Sequence, residues 1–551
     1  MDILGNGIGR SVIYTDERRI TTENIIKVLQ ETFPAHVGNA VRIDELLRFE
    51  AGEQPQLREK VSRKEIDARC IDNIANEITE FKTSYVWGTP ITLVQRGQTD
   101  SGKKDENKGI AQLNEGYSSE YIGRKQQELA RFVEIGGIGY TFVDVQRDWR
   151  DGKSFFSHEV LDPRYSYIVR SSALGHRKML GVSYSQDTQG NYHFTAFTDA
   201  QRFEIDSIYD KDSSDSREPT GNEYVDEYVW RERMFNGDRN PLGMIPIIEW
   251  VRSADRMGCF ERQIPEMLDL NQLWSDFSNQ VGQVVNSVWW ANNVEFPTKT
   301  VKDSEGNDVQ VPEHPSDGDW IETSTTRDGK DPKIEPLVIN SDYQGQLNNI
   351  LAKRALILEK CQVPQRGESA NSTGIATSAA SGWDAADSSA NKEQMFIESA
   401  KIEEVEVVLA AINVSPDIEP ENPMLDLRYM DVQPSIKRQK NYELVSKMNF
   451  FATGISHGVH PKHLLKEMNA FADPEQVYID SKETLDKYIE ATFKTDSGSN
   501  AQSGNGYNGY GWYQKGTNAT GEGGSGEDSP NSERIGQDES DQTSNSPNLK
   551  G

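Results

Sequence analysis

Cysteine is scarce in this chain: Cys70, Cys259 and Cys361 are the only three among 551 residues. They are widely spaced, odd in number and form no CxxC pair, which excludes a zinc ribbon and a disulfide framework. Long apolar runs are also missing. Nothing approaches the roughly 18 residues of a membrane span, and the first twenty residues lack the apolar stretch of a secretory signal. No G-x-S-x-G elbow occurs and no cysteine has a neighbourhood that suggests an activated thiolate. Aspartates are abundant but ungrouped, so no metal site or catalytic constellation is expected, and no cofactor. Positive charge is short as well, with 59 Lys+Arg against 88 Asp+Glu, a net of -29 and a pI near 4.8. A protein that grips nucleic acid by neutralising phosphates shows the opposite sign. The expectation is a soluble protein made in a reducing cytoplasm.

The length exceeds what one core holds, so several domains are expected. Hydrophobic residues make up 35%, enough for real cores despite a mean hydropathy of -0.71. The first portion reads as α+β. Helix dominates 21–94, where Ile71, Ile74, Ile78, Phe81 and Tyr85 share one face. A strand follows at 91–94, a charged loop at 98–109, a helix at 119–133 and a strand at 140–145. Short strands are then expected at 159–161, 165–169, 179–184, 192–197 and 223–231.

Residues 261–293 carry Ile264, Met267, Trp274, Phe277 and Val281 at helical period, which predicts one helix on the order of 45–50 Å long. Its opposite face bears Asp269, Asp276, Asn279, Gln283 and Asn286, and no Lys or Arg occurs between Arg262 and Lys299. Residues 294–340 return to strand patterns, including a hairpin with Val301-Lys302 on one side of Gly306 and 309–311 on the other. Helix is predicted again at 343–361. Residues 367–391 are a small-residue loop, again free of Lys and Arg until Lys392. A helix at 392–412, a strand at 425–429 and helices at 436–451 and 461–470 follow, with Gly454 as separator and His460 as N-cap before Pro461. From 495 onward Gly, Ser, Asn and Asp predominate, which predicts a disordered acidic tail.

Three motifs fail on chemistry. Residues 97–103 fit G-x-x-x-x-G-K, but Lys104 stands where a P-loop needs Ser or Thr for magnesium. Gly5, Gly7 and Gly9 have no preceding strand, as a dinucleotide fingerprint requires. His457, His460 and His463 straddle a helix start at Pro461, which breaks any shared ligand face.

Taken in order, several segments resemble the portal proteins of tailed bacteriophages, in their siphophage family. Tyr85-Val-Trp-Gly88-Thr-Pro90-Ile91 is similar to that family's Y-x-x-G-x-P-[IL]. Gly139-Tyr140-Thr-Phe-Val143-Asp144 and Val160-Leu161-Asp162-Pro163-Arg164 resemble its next two strands. Pro241-Leu-Gly243-Met-Ile245-Pro246-Ile247-Ile248-Glu249 resembles the segment before its long helix, and Leu268-Asp269-Leu270-Asn271 a motif within it. Ser372-Thr373-Gly374-Ile375-Ala376 is similar to its S-G-x-A, with Thr373 replacing the usual serine.

The resemblance implies a multidomain α+β portal fold: wing 1–250, stem helix 251–293, β-rich clip 294–340, second stem helix 341–362, tunnel loop and following helix 363–424, helical crown 425–494, and the tail. It implies a homo-oligomeric ring, usually of twelve subunits, at one capsid vertex of the virion. Double-stranded DNA passes through it without sequence specificity, for packaging and ejection. The implied partners are the terminase large subunit, a head-tail adaptor, and the major capsid and scaffolding proteins; no membrane and no catalysis are implied. On this mapping Ser372, Thr373, Thr377, Ser378, Ser381, Asp384 and Asp387 line the channel from the tunnel loop. Asp269, Asp276, Asn279, Gln283 and Asn286 face it from the stem, and Lys302, Asp303, Glu305 and Asp308 of the clip meet the adaptor. The alternatives are a DNA-processing enzyme of the packaging machinery, or another virion structural or connector protein.

Overall fold

In the computed structural model of the chain the described residues are 9–55, 67–96, 108–146, 154–209, 223, 227–233, 238–285, 289–292, 298–302, 308–312, 333–336, 342–364, 382–416, 418–438, 443–468, 471 and 474–497. The chain forms two units, Met1–Leu485 and Asp486–Gly551; of the second, residues 486–497 are described and are helical.

A seven-stranded sheet forms the first layer. Its path runs β1 (Ile13–Thr15), β5 (Ser166–Ser171), β6 (Lys178–Gln186), β7 (Tyr192–Phe197), β8 (Gln201–Tyr209) and β10 (Asp238–Arg239), with β9 (Tyr228–Glu232) also on β8. Only the β1–β5 pair is parallel. Alternation fixes which face is apolar: Phe203 and Ile205 of β8 are buried between polar Arg202, Glu204 and Asp206. Helix α1 (Ile25–Glu50) covers that face with Ile25, Val28, Leu29 and Phe33. Phe33 meets Tyr184, Tyr192 and Phe194 edge-on at 5.1–5.2 Å, the arrangement that aromatic quadrupoles favour.

A smaller antiparallel sheet, ordered β11 (Ile247–Val251), β3 (Ile138–Val145), β4 (Phe156–Leu161), packs beside it. Helix α2 (Ile74–Trp87) lies against α4 (Ile122–Gly136), and α4 packs on β3. Gly139 lets α4 approach, because a Cβ there would sit 2.8 Å from Leu129 Cδ1. Helix α4 is the helix expected at 119–133, and it is preceded by a further helix, α3 (Lys108–Ser119), which the sequence pattern did not predict. The long helix α7 (Trp383–Val414) lies on β3 and β11 and belongs to the same core, with Ala386, Ala390, Ile397, Val405 and Val408 buried alongside Trp87, Leu129, Val143 and Trp250. Strands β2 (Thr92–Gln95) and β16 (Val432–Ser435) pair antiparallel across more than 330 positions of sequence.

The remaining helices correct several expectations. The helix predicted over 261–293 is a 3₁₀ turn, Glu261–Gln263, then α5 (Ile264–Val285), about 33 Å long. Trp289–Asn292 is a strand, β12, paired with β15 (Lys333–Pro336). Two adjacent tryptophans suit a pleated surface better than a helix. The expected hairpin is present as β13 (Thr298–Lys302) and β14 (Asp308–Pro312). Helix α6 (Tyr343–Lys360) matches its prediction. Helix α7 begins at Trp383, so Asp384 and Asp387 stand on a helix and not in the loop. The strand expected at 425–429 is replaced by 3₁₀ turns Pro423–Asp426 and Tyr429–Asp431 ahead of β16. Gly454 does not separate helices. It lies inside α8 (Glu443–Ser456), where a Cβ would meet the Leu464 side chain of α9 (Pro461–Met468). His460 does cap α9, its Nδ1 accepting the Lys462 amide at 3.2 Å. Helix α10 (Pro474–Ser497) runs into the predicted tail; residues 498–551 lie outside the described residues, as do 97–107 with the G-x-x-x-x-G-K run.

Two buried titratable groups tie the layers together and set a pH dependence. His36 of α1 stacks on Tyr167 at 4.3 Å and donates from Nε2 to the Arg164 carbonyl at 3.0 Å. Burial holds its imidazole down at about 4, against that hydrogen bond. Glu249 of β11 accepts from Arg170 at 2.8 Å, Arg256 at 2.6 Å and the Tyr140 hydroxyl at 3.2 Å. Burial opposes its charge, yet the two guanidinium groups bring its carboxyl down to about 2.

For His36 the folded state resists protonation that the unfolded chain accepts, so stability is lost as pH falls from about 6.5 toward about 4. His36→Gln keeps a donor for the Arg164 carbonyl and removes the titration. Melting temperatures between pH 7 and 4.5 should fall less steeply in that variant; an unchanged slope contradicts the assignment. Glu249→Gln leaves two guanidinium groups without their counter-charge and should cost about 3–5 kcal/mol of unfolding free energy at pH 7. Denaturant titration measures this, and a cost below about 1 kcal/mol would contradict it.

Candidate functional site

The site grows from the pairing of α5 with α6. Met267 and Leu270 of α5 are buried against Ile350, Ile357 and Leu358 of α6 and Phe49, Ile74 and Ile78 of the body. Cations from α6 then neutralise carboxylates on its neighbours: Lys353 pairs with Asp269, Lys360 with Glu266, and Arg354 with both Glu77 and, at 3.0 Å, Asp72. Exposed pairs of this kind contribute little stability. Their effect here is on charge: Asp269, predicted to face a channel, is already matched by Lys353. Beyond the shared seam, Val281 of α5 and Leu351 and Leu356 of α6 remain 42%, 48% and 47% exposed.

The polar side of α5 is partly occupied by the chain itself. Asn279 Oδ1 accepts the Ala68 amide at 2.6 Å, Ser275 Oγ the Cys70 amide at 3.0 Å, and Asn271 Oδ1 the Asp72 amide at 2.8 Å. Asn279, predicted to face a channel, therefore faces residues 67–72, because its amide satisfies backbone groups that would otherwise be left unpaired. Asp276 accepts from Gln272 at 2.9 Å on the exposed side. Gln283 lies on the last turn of α5, its side chain outside the described residues, and Asn286 lies outside them altogether.

Of the tunnel-loop residues, Ser372, Thr373, Thr377, Ser378 and Ser381 lie outside the described residues. Asp384 is exposed in the first turn of α7. Asp387 is engaged within the chain, accepting from the Tyr85 hydroxyl and from Arg438 at 3.4 Å. Arg438 also donates to Asn391 at 2.9 Å and Gln394 at 2.8 Å, so one guanidinium grips three residues near the loop-proximal end of α7.

Further along α7, charged groups enter the core. Glu404 accepts from Lys401 at 2.6 Å and from Thr141 at 3.1 Å, and lies 3.0 Å from His158 Nε2. Burial alone would raise its carboxyl; Lys401 and His158 outweigh burial and hold it well below the usual range. Lys401 sits 3.7 Å over the Tyr117 ring. Two to three turns nearer the loop, Glu393 faces Glu134 of α4. Burial and that neighbouring negative charge push the Glu393 carboxyl well up, while Glu134 keeps its charge against Arg252 at 3.0 Å and Trp87 Nε1 at 3.2 Å. Two buried carboxyl groups, one of them raised, therefore stand together between α4 and α7. Neither cluster was anticipated, although charged residues spaced through the apolar run of α7 are the signal that would have found them.

In the hairpin, Lys302 and Asp308 stand directly opposite each other at the end of the β13–β14 register. Asp303 and Glu305 lie outside the described residues. Every described side chain of β13 is exposed. His460 and His463 meet as rings 6.0 Å apart. Among the described residues no cluster of His, Cys, Asp and Glu could hold a metal ion, and no helix is long and apolar enough to cross a membrane.

Comparison with curated proteins gives no match. Comparison with protein families gives a match over residues 53–435, from just past α1 to the end of β16, described as phage portal protein, SPP1 Gp6-like. That span holds the α5–α6 pair, the hairpin between them and α7 in one continuous match, and the chain belongs to the phage portal protein family.

Proposed function

We propose that the chain forms a closed ring, of twelve subunits on the family pattern, through which double-stranded DNA enters and leaves the capsid. The observation that supports this best is the α5–α6 pair: charges matched within the pair, and apolar Val281, Leu351 and Leu356 left exposed. Neighbouring copies would cover those side chains. The β13–β14 hairpin fits the same reading, since an isolated two-stranded sheet with exposed side chains is marginal in water and gains from a partner. We assign that hairpin to the head-tail adaptor, the body to terminase and capsid contacts, and no catalytic role to the chain.

Passage of a polyanion requires a wall that does not bind it. Lys and Arg on such a wall would exchange counterions with phosphate and hold the DNA. Between Arg262 and Lys299 the chain has no Lys or Arg, and residues 367–391 have none either. Lys353 and Lys360 of α6 are both paired with carboxylates of α5. The proposed lining is Ser372, Thr373, Thr377, Ser378 and Ser381, with exposed Asp384 and Asp276; Asn279 and Asp387 serve the chain's own packing instead.

Leu351→Asp with Leu356→Asp should convert a large sedimenting oligomer into a folded monomer with unchanged helical circular dichroism. If the double variant sediments as the parent does, these side chains lie outside the subunit interface. Thr377→Lys with Ser378→Lys should leave assembly intact and reduce DNA packaged per capsid, because each new phosphate contact retards sliding. Raised ionic strength should partly restore packaging, since screening shortens to about 3 Å at 1 M salt. Packaging at the parent rate would remove this loop from the conduit.

A further inference from the structure

The segment 67–72 meets α5 through a repeating contact. Amides 68, 70 and 72 are accepted by residues 279, 275 and 271, so each step of two along the segment matches four along the helix. Two extended residues advance about 6.6 Å and four helical residues about 6.0 Å, so the two repeats nearly coincide. The carbonyls join in, Asn279 Nδ2 donating to Ala68 O at 3.3 Å and Ser275 Oγ to Cys70 O at 3.4 Å.

A ladder with matched repeats does not choose its own register. The row of α5 continues at Gln283, and displaced by one turn the amides of Ala68, Cys70 and Asp72 would stand opposite Gln283, Asn279 and Ser275, each able to accept. Only a contact outside the repeat separates the two registers. Asp72 makes the one that touches both helices: its carboxylate accepts from Trp274 Nε1 of α5 at 3.3 Å and from Arg354 Nε of α6 at 3.0 Å, beside the apolar seam and the Arg354–Glu77 pair. A one-turn step would carry Trp274 about 6 Å away along the axis. Asn271 adds a bond from Nδ2 to Gln54, which anchors the same end of the ladder.

We propose that Asp72 is the positioning residue that sets the axial register of both α5 and α6 against the body of the protein. One carboxylate touches both helices and ends the segment that leads directly into α2, where the Ile74 amide turns back to the Asp72 carbonyl at 2.7 Å. The importance of that register for DNA passage rests on the conduit reading above; the register itself does not.

Cys70 supplies the probe. Burial raises the thiols of Cys259 and Cys361, the latter to about 11, so a maleimide at pH 7 acts first on Cys70. In the full-length chain, Ser275→Cys should be joined to Cys70 by a short bismaleimide in clearly higher yield than Asn279→Cys, which stands about 6 Å further along the helix, as read by peptide mass. Adding Asp72→Ala should make the Cys70 to residue 279 product rise at least about tenfold. Asp72→Asn, which keeps the side-chain shape and loses the charge, should give an intermediate yield if Asp72→Ala proves too unstable to purify. A residue 279 product that does not rise between the two backgrounds, in protein that retains its circular dichroism, would overturn the proposal. Packaging by Asp72→Asn separates the two readings: a shifted register with normal packaging would leave Asp72 as the register residue and remove these helices from the conduit.

Discussion

Charge taken into the apolar core of α7 is the constraint around which the rest is arranged. Glu393, Lys401 and Glu404 lie on the buried side of a helix that also carries Ala386, Ala390, Ile397 and Val408 into the core. A buried carboxylate or ammonium without a partner costs several kcal/mol, so each must find a group at one position and no other. Glu404 finds Thr141 on β3 and His158 on β4; Glu393 finds Glu134 on α4. These contacts fix the rotation and axial position of α7, which apolar packing alone would leave less well determined. The helix that follows the small-residue loop is thereby held to the three-stranded sheet and to α4, both of which precede the α5–α6 pair in sequence.

The α5–α6 pair is joined to the body differently. Its apolar seam reaches Phe49 and Ile78, but its polar side is held by hydrogen bonds to the backbone of residues 67–72. Carboxylates of α5 are matched by lysines of α6, so the pair carries acidic and amide groups outward with few cations left unpaired. This is the pattern the proposed conduit for DNA would need, since the lysines of α6 that could hold phosphate are paired within the subunit.

Periodicity made part of this legible. The hairpin at 298–302 and 308–312, α6 and the strands flanking Asp187 all follow from alternation, turn residues or helical spacing. The start of α7 was misread because Ser, Asp, Asn and Gly around Trp383 carry loop propensity; what makes it helical is the close packing of Ala386 and Ala390, which no local pattern reports. Strand β8 alternates strictly but its charged outward residues masked it. The polar row of α5 was the subtlest case. Polar residues four apart on an apolar helix read equally as a solvent face or as a rail for another segment, and only the positions of amides 68, 70 and 72 decide for the rail.

The conduit account stands or falls on what the purified full chain assembles into. Electron microscopy of the protein alone, without capsid or DNA, reads this directly. The account predicts closed rings with an open central hole, formed from one kind of subunit in which the α5–α6 pairs lie side by side. A population of well-folded monomers, or of open filaments, would contradict it.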